Sequence, residues 1–314
     1  MIHHVLLIPL LCGLLQALLL LAIAPFFAGL SRVLRAKMHN RQGPPISQEY
    51  RDIFKLLARQ DVAPVNSGSA FRCAPFILLG TLLVVAMALP MMTIQSPFAG
   101  GGDIITLIYL LAIFRFFFAL SGIDSGSPFA GIGASREMTL GVLVEPVLML
   151  SLIVVALVAG STNIGVISAA LAGSWQSPSA TLLALLACGF ALFIEMGKVP
   201  FDVAEAEQEL QEGPLSEYSG ASLALMKWSL SFKQVVVAAL FLAIFIPFGK
   251  AASPTLFALL WGALSLLLKL VVVFVLAALV ENSMARGRFL LNNRVTWLGF
   301  GVAALALVFY LTGL

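Results

Sequence analysis

The residues with the types and spacing to do chemistry are crowded into one stretch, Glu195 to Gly220, which reads EMGKVPFDVAEAEQELQEGPLSEYSG. It carries Glu195, Asp202, Glu205, Glu207, Glu209, Glu212 and Glu217, seven of the fifteen acids in the sequence. Carboxylates sharing a confined site repel one another and titrate as a coupled set, some with pKa values raised towards neutrality. That is chemistry for holding and passing protons, or for gripping a basic partner surface. Asp202, just after Pro200, is placed to cap a helix with Glu205 three residues on, and Gly213-Pro214 is placed to end it. On such a helix Asp202, Glu205, Glu209 and Glu212 share one face at i, i+3, i+7 and i+10, a self-repelling stripe.

Histidine and cysteine offer no competing site. His3, His4 and His39 all lie away from the middle of any apolar run, so haem held by paired histidines has no ligands. Cys12, Cys73 and Cys188 are far apart and form no CxxC, which excludes a disulfide framework and argues against an iron–sulfur cluster within this chain.

The elements that must position the acids are membrane helices. With 61% hydrophobic residues, 11% charged and a mean hydropathy of +1.04, the chain is far from the roughly 25% charged residues of soluble domains. Apolar runs long enough to cross about 30 Å of hydrocarbon predict about eight transmembrane helices. They fall roughly over 5–30, 75–95, 103–122, 138–160, 180–197, 234–250, 255–280 and 296–313. The fold class is an all-α polytopic membrane protein, a single integral-membrane domain over 1–314. The first run is too long for a signal-peptide core and lacks a basic leader, so it reads as a first span.

Lysine and arginine set the orientation. Fifteen of the eighteen fall in the 31–74, 123–137, 198–233 and 281–295 loops, while the alternate loops hold only Lys250. The positive-inside rule then puts both termini outside and the acidic loop, 198–233, in the cytoplasm. The outer loops, SPFAGGGD and the stretch from AGSTNIGV to WQSPS, read as plain connectors. The cytoplasmic 31–74 loop contains an amphipathic helix in SQEYRDIFKLLARQ. Its apolar stripe is Tyr50, Ile53, Phe54 and Leu57, with Ser47 as cap and Arg51, Lys55 and Arg59 at headgroup level.

Four charges lie inside the spans: Arg115, Glu145, Glu195 and Lys269. Each costs roughly 2.5–3.5 kcal/mol near the bilayer centre, so the two acids and two bases are expected to pair inside the bundle. They act either as static ion pairs or as the inner end of a proton path leading to the loop acids. Glu145 precedes Pro146, which frees a backbone carbonyl and admits water.

The pattern from Glu195 through Pro200-Phe201-Asp202, Glu205-Ala206-Glu207, Glu209-Leu210, Gly213 and Glu217-Tyr218-Ser219-Gly220 resembles a signature loop. It belongs to the respiratory complex I membrane subunit that lies beneath the quinone site. Arg41-x-Gly43-Pro44 with Asp52-x2-Lys55-Leu56 is similar to that family's first loop, and Gly133-Ala134-x-Arg136 with Glu145 to its third loop and fourth helix. Gly197-Lys198, Glu212, Pro214-Leu215 and Leu143-Val144 depart from the quinone-reducing pattern. The wording QEYRDIFKLL, GSPFAGIGASRE and LVENSMARGR is similar to the branch found in formate hydrogenlyase and hydrogenase 4. The resemblance implies a multi-pass subunit of the bacterial inner membrane, itself without catalytic residues, metal or bound cofactor. Nickel–iron (NiFe) and iron–sulfur centres would sit in a hydrogenase large subunit and a small iron–sulfur subunit docked on the cytoplasmic face. Antiporter-like subunits would lie alongside, and formate dehydrogenase would connect through an electron-transfer subunit. Glu145, Glu195 and the loop acids would carry coupling, while Arg41, Asp52, Lys55, Arg136 and Lys198 would line the docking face or its cavity. A quinone cavity is the alternative use of the same residues. An independent transporter is disfavoured by the lack of an internal repeat.

Overall fold

A computed structural model describes residues 2–94, 96–97, 102–173, 175–251, 255–285 and 289–313 of the 314. The chain runs through α1 (Ile2–Met38), α2 (Gln48–Leu57), α3 (Ser69–Ala88), α4 (Ile104–Asp124), α5 (Pro128–Ala159) and α6 (Ile164–Gly173). It continues through α7 (Pro178–Glu195), α8 (Glu207–Leu210), a 3-10 turn (Gly213–Leu215), α9 (Gly220–Phe245), α10 (Leu256–Ser283) and α11 (Phe289–Thr312). Among the described residues, strand pairing is confined to two isolated bridges, Thr93 with Ala251 and Asp103 with Asn163. Among the described residues, eight helices are long and apolar enough to cross a membrane, as the hydropathy pattern predicts.

Several helices outrun their apolar runs. At 1.5 Å per residue the 37 residues of α1 extend about 55 Å, so the end bearing Arg32, Arg35 and Lys37 stands clear of the hydrocarbon. α5 starts at Ser127-Pro128, with proline at the first helical turn, well before the expected 138. α9 starts at Gly220, well before the expected 234, after Ser219 in extended conformation. These extensions move Arg136, Glu137, Lys227 and Lys233 out of loops and onto helices. Hydropathy stops at such charges. The backbone does not, because the charges find partners.

The connection between residues 160 and 177 is more than a plain connector. Ile164–Gly173 forms the ten-residue α6, too short to span and packed against α5 and α9. α2 forms where its periodicity predicts, but Ser47 makes no side-chain cap, and the stripe divides. Ile53 is buried and Tyr50 Oη donates to Ala22 O at 2.7 Å, while Phe54 and Leu57 stay exposed. Buried Glu49 meets Arg32 Nη1 at 2.6 Å, so α2 is held to α1 by an ion pair as well as by apolar contact.

At the centre stands α9, 72% of whose most apolar window is buried, against 22% for α11. It packs on α1, α2, α3, α6, α7 and α10, with small and β-branched residues such as Val236, Ala238 and Ala239 allowing close approach. Trp228 Nε1 donates to Leu21 O at 2.9 Å, and Phe27 meets Phe274 at 4.8 Å, tying α9 and α10 to α1.

The acidic stretch is not the expected capped helix. Only Glu207–Leu210 is helical, Ala206 rather than Asp202 takes the N-cap position, and Gly213-Pro214 opens a 3-10 turn instead of ending a helix. The backbone turns left-handed at Ala206 (φ 25°), Gln211 (φ 49°), Glu212 (φ 70°) and Gly213 (φ 52°), which no continuous α-helix permits. The shared acidic face therefore does not exist, and the carboxylates point in several directions. Gly213 is fixed by packing as well as by φ, since a Cβ there would stand 2.0 Å from Ala204 O, with Gly133 of α5 behind it. Gly213→Ala should lower stability by about 2 kcal/mol or more and expose 196–219 to protease, measured by thermal unfolding and limited proteolysis in detergent. Gly131→Ala, where a Cβ meets nothing within 4 Å, should be neutral or stabilising by up to about 1 kcal/mol.

Candidate functional site

Arg115 is the hub of an interior charge cluster. Its side chain crosses from α4 to α5 at Gly141, where a Cβ would stand 2.5 Å from Arg115 Cδ, so the crossing needs a residue without a side chain. Arg115 Nη1 donates to Glu145 Oε1 at 2.7 Å, Nη2 donates to Glu195 Oε1, and Nε stands 3.5 Å from Glu137 Oε1. Glu137, Gly141 and Glu145 recur every four residues on α5 and so share one face. Lys233 of α9 completes the cluster. Its Nζ is 3.1 Å from Glu195 Oε2, 3.8 Å from Glu137 Oε1 and 5.3 Å from the centroid of the Phe114 ring.

Three carboxylates therefore face two cations, leaving one surplus negative charge when all are ionised. The cluster has a closed end and an open end. Arg115 and Glu195 side chains are 6% and 4% exposed, whereas Glu145 is 39% exposed on the side of the bundle.

A cavity of about 50 Å³ leads from the cluster towards the acidic stretch, lined by Arg115, Glu137, Glu195, Lys233, Asp202, Glu205 and Gln234. That is room for a few waters. Gln234 Oε1 is buried there without a hydrogen-bond partner among the described residues, an acceptor suited to water. Asp202, Glu205 and Gln234 also line a second cavity of about 520 Å³. Its wall includes Arg32 and Arg35 of α1, Glu49 of α2, Lys198, Glu212, Lys227 of α9 and Glu281 of α10. Arg35 Nη1 pairs with Glu281 Oε1 at 3.2 Å and Lys227 Nζ with Glu212 Oε1 at 3.3 Å.

Glu205 stands at the junction of the two cavities. Burial, reinforced by the charges of Glu137, Glu212 and Asp202 and opposed by Lys198, pushes its carboxyl up to about 7. Burial likewise pulls the Lys198 ammonium down, against the pull of Glu281 and Glu205. Burial raises the Tyr218 phenol, which donates to Phe71 O at 2.7 Å and stacks on the Phe71 ring at 4.0 Å.

Of the residues singled out by sequence, Arg115, Glu145 and Glu195 come together. Lys269 does not join them. It donates to Ile246 O at 2.8 Å and to Phe248 O, beyond the far end of α9, because residues matched only by sign need not share a depth. Asp202, Glu205, Glu212 and Lys198 face the large cavity. Glu209 turns outward to Arg136 Nη1 at 2.8 Å, and Glu217 is half-buried outside both cavities. Glu207 begins α8, and its side chain lies outside the described residues, as do Arg286 and Arg288. Arg41 and Lys55 are exposed and Asp52 accepts from Gln48 Nε2 at 2.8 Å; none of the three lines either of these two cavities, whereas Glu49 lines the larger. Glu137, Lys233 and Glu281 were missed because they sit just past the apolar runs. The four-residue spacing of Glu137, Gly141 and Glu145 is the signal that would have found the first. Among the described residues no group of His, Cys, Asp or Glu is arranged to hold a metal ion.

What this arrangement supports chemically is proton storage and transfer through carboxylates and water. The sequence profile of the NADH dehydrogenase family matches residues 11–312. Hydrogenase-4 component C of Escherichia coli (strain K12) is 66% identical over 299 residues, covering 95% of each chain. Formate hydrogenlyase subunit 4 of the same strain is 56% identical over 296 residues, 94% of this chain and 96% of that one. An NADH-quinone oxidoreductase subunit of Cereibacter sphaeroides is 32% identical over 293 residues, 84% and 87% of the two chains. Among solved structures, a chain of the membrane-bound sulfane sulfur reductase, an archaeal respiratory membrane complex, superposes with a TM-score of 0.81. It is 26% identical, and the match covers 95% of this chain and 99% of that one. On its length, its interior charges and these matches, the chain belongs to the NADH dehydrogenase family.

Proposed function

We propose that this chain is the membrane anchor and proton- or energy-coupling subunit of a membrane-bound nickel–iron hydrogenase complex of the formate hydrogenlyase and hydrogenase-4 type. The observation that carries the reading is a series of carboxylates linked through Arg115, Lys233 and a shared cavity. It runs from Glu145 at the side of the bundle, through Glu137 and Glu195 around Arg115, to Glu205 and the acid-rich cavity. The metal centres and bond-making belong to partner subunits. The exposed side of α2 and the segment after it offer Phe54, Leu57, Val62 and Val65 beside Lys55 and Arg59, a seat for a peripheral subunit with mixed apolar and acidic chemistry. Large and small hydrogenase subunits would sit over that seat, antiporter-like subunits alongside in the bacterial inner membrane, and formate dehydrogenase further along the electron path.

The volume of the large cavity falls in the range of small-molecule sites, which favours a quinone as the second reading. Its wall fits poorly, because nine of its twenty lining residues are charged, and an isoprenoid tail needs apolar surface. Organic extraction of the purified complex should yield no stoichiometric quinone, and recovery of one per complex would favour the second reading.

Lysine and arginine asymmetry orients the acidic stretch to the cytoplasm with both termini outside. A periplasm-dependent reporter fused after Leu314 should be active and a cytoplasm-dependent one silent, and the reverse pattern would invert the topology.

Glu205→Gln and Glu195→Gln should leave the complex assembled but lower coupled proton movement by about a hundredfold or more, read with a pH-sensitive dye in proteoliposomes during turnover. Unchanged translocation in both would sink the relay.

Between the ordinary 4.5 and about 7, folded Glu205 keeps a proton that the unfolded chain has released. The raised value therefore stabilises the fold below that window, and the benefit is lost as pH rises through it. Moving from about pH 5 to about pH 8 should lower the melting temperature of the wild type more than that of Glu205→Gln.

A further inference from the structure

Two buried polar groups lining the small cavity lack a hydrogen-bond partner among the described residues: Arg115 Nε, a donor, and Gln234 Oε1, an acceptor. Buried groups are nearly always paired, so each calls for an explanation. One carboxylate answers to both. Glu137 Oε1 stands 3.5 Å from Arg115 Nε and 3.8 Å from Lys233 Nζ, longer than a formed N–H···O bond. Glu137 also lines the cavity of about 50 Å³ together with Gln234 and Glu205.

The other two carboxylates of the cluster are committed. Glu145 Oε1 accepts from Arg115 Nη1 at 2.7 Å. Glu195 accepts from Arg115 Nη2 with one oxygen and meets Lys233 Nζ at 3.1 Å with the other. Glu137 is the loosely held member.

Charge decides where a proton sits. With Glu137, Glu145 and Glu195 all ionised against Arg115 and Lys233, one negative charge is in excess, a state that burial penalises. One proton removes the excess, and it goes to the carboxylate that gives up the least cation contact. That carboxylate is Glu137. Ionised, it gains by closing on Arg115 Nε, which then has its acceptor. Protonated, it has an O–H to give, and Gln234 Oε1 is an acceptor without a donor, reached directly or through a water. The remaining charged groups on the cavity are Asp202 and Glu205, both from the acidic segment. The Glu205 carboxyl, lifted to about 7 by burial and next by the charge of Glu137, already registers whether Glu137 is ionised.

We propose that Glu137 is the moving proton carrier of the relay: ionised it closes on Arg115 Nε, and protonated it turns into the small cavity to exchange its proton with Glu205 through water held at Gln234. In that step the O–H bond of Glu137 breaks and an O–H bond on Glu205 forms. The cluster takes up the negative charge that Glu205 loses, and the return step reverses both. Glu145 and Glu195, each bonded to Arg115, stay ionised meanwhile. The inference deepens the relay reading and rests on it.

The test uses the intact complex in proteoliposomes. Infrared difference spectra on starting turnover should contain a protonated-carboxyl band that shifts on Glu137→Asp, which keeps the acid but shortens the arm. Glu145→Asp should leave that band in place, and Gln234→Leu should move it towards the position of a carboxyl without a hydrogen bond. Glu137→Gln should lower coupled proton movement about a hundredfold or more while keeping or raising the melting temperature, because it leaves the cluster neutral. A purely static ion-pair role would instead lower the melting temperature and give no band to shift. The aspartate variant keeps the inference testable if the glutamine variant misfolds. Absence of the band, a band that follows Glu145→Asp, or one that Glu137→Asp does not move overturns it. A wild-type complex that turns over without moving protons overturns the relay reading itself, and that control separates the two failures.

Discussion

A guanidinium in the interior of a membrane bundle imposes the constraint on which this structure depends. Arg115 cannot shed its proton, so carboxylates must be brought to it, and they come from separate places in the chain. Glu195 is the last residue of α7, while Glu137 and Glu145 lie on one face of α5, and Lys233 from α9 holds the far oxygen of Glu195. Four helices are thereby fixed in register around one side chain. The geometry also dictates an absence, because the guanidinium crosses α5 only where Gly141 leaves room. Truncating either cation would leave buried carboxylates uncompensated, a loss of about 3–5 kcal/mol in comparable ion pairs, whereas neutralising one carboxylate would remove the surplus charge. On the proposed reading, stability and coupling would draw on the same residues, which is why assembly and coupling must be measured separately.

The irregular segment between α7 and α9 does the opposite work. A regular helix would have aligned four acids along one face, where they repel and where only one neighbour could answer them. The left-handed turns at Ala206, Gln211 and Glu212 distribute the carboxylates instead. Glu209 goes to Arg136 at the surface, Glu212 to Lys227, and Glu205 inward to the junction of two cavities. With repulsion relieved at the surface, what remains of it is concentrated at Glu205. A carboxyl near 7 between two polar-lined cavities is matched to both donors and acceptors of protons around neutral pH.

The eight spans and the amphipathic α2 were legible because burial in lipid or on a neighbour writes its period directly into composition. Arg115, Glu145 and Glu195 were legible because a charge in an apolar run is costly and therefore meant. What could not be read was position along the membrane normal. Lys269 has the right sign to answer an acid and lies at the other end of α9. Glu137 and Lys233 lie on the cluster yet were assigned to loops, since hydropathy treats a paired charge and a solvated one alike. The fate of the acidic stretch was hidden for another reason. Spacings of three, four and seven residues favour a helix only if every φ between them is negative, and Ala206, Gln211 and Glu212 carry no mark in sequence of a positive one. The loop between α5 and α7 looked featureless because α6 is too short to register as a span.

Between the two polar ends, α9 supplies the decisive contrast. From Val235 to Phe245 it presents valine, alanine, leucine, isoleucine and phenylalanine, almost all buried. A proton arriving at Lys233 and Glu195 meets no carboxylate, hydroxyl or amide side chain along that run before Lys250. Straight passage through this chain along α9 would require a charge to cross a dry apolar core, at a cost of several kcal/mol. The open end of the cluster is Glu145, on the side of the bundle, where Pro146 interrupts the α5 hydrogen-bond ladder. On the proposed reading, energy gathered at the acidic face would leave sideways, into whatever helix stands against α5, and a subunit built this way would transmit to its neighbours more readily than it transports by itself.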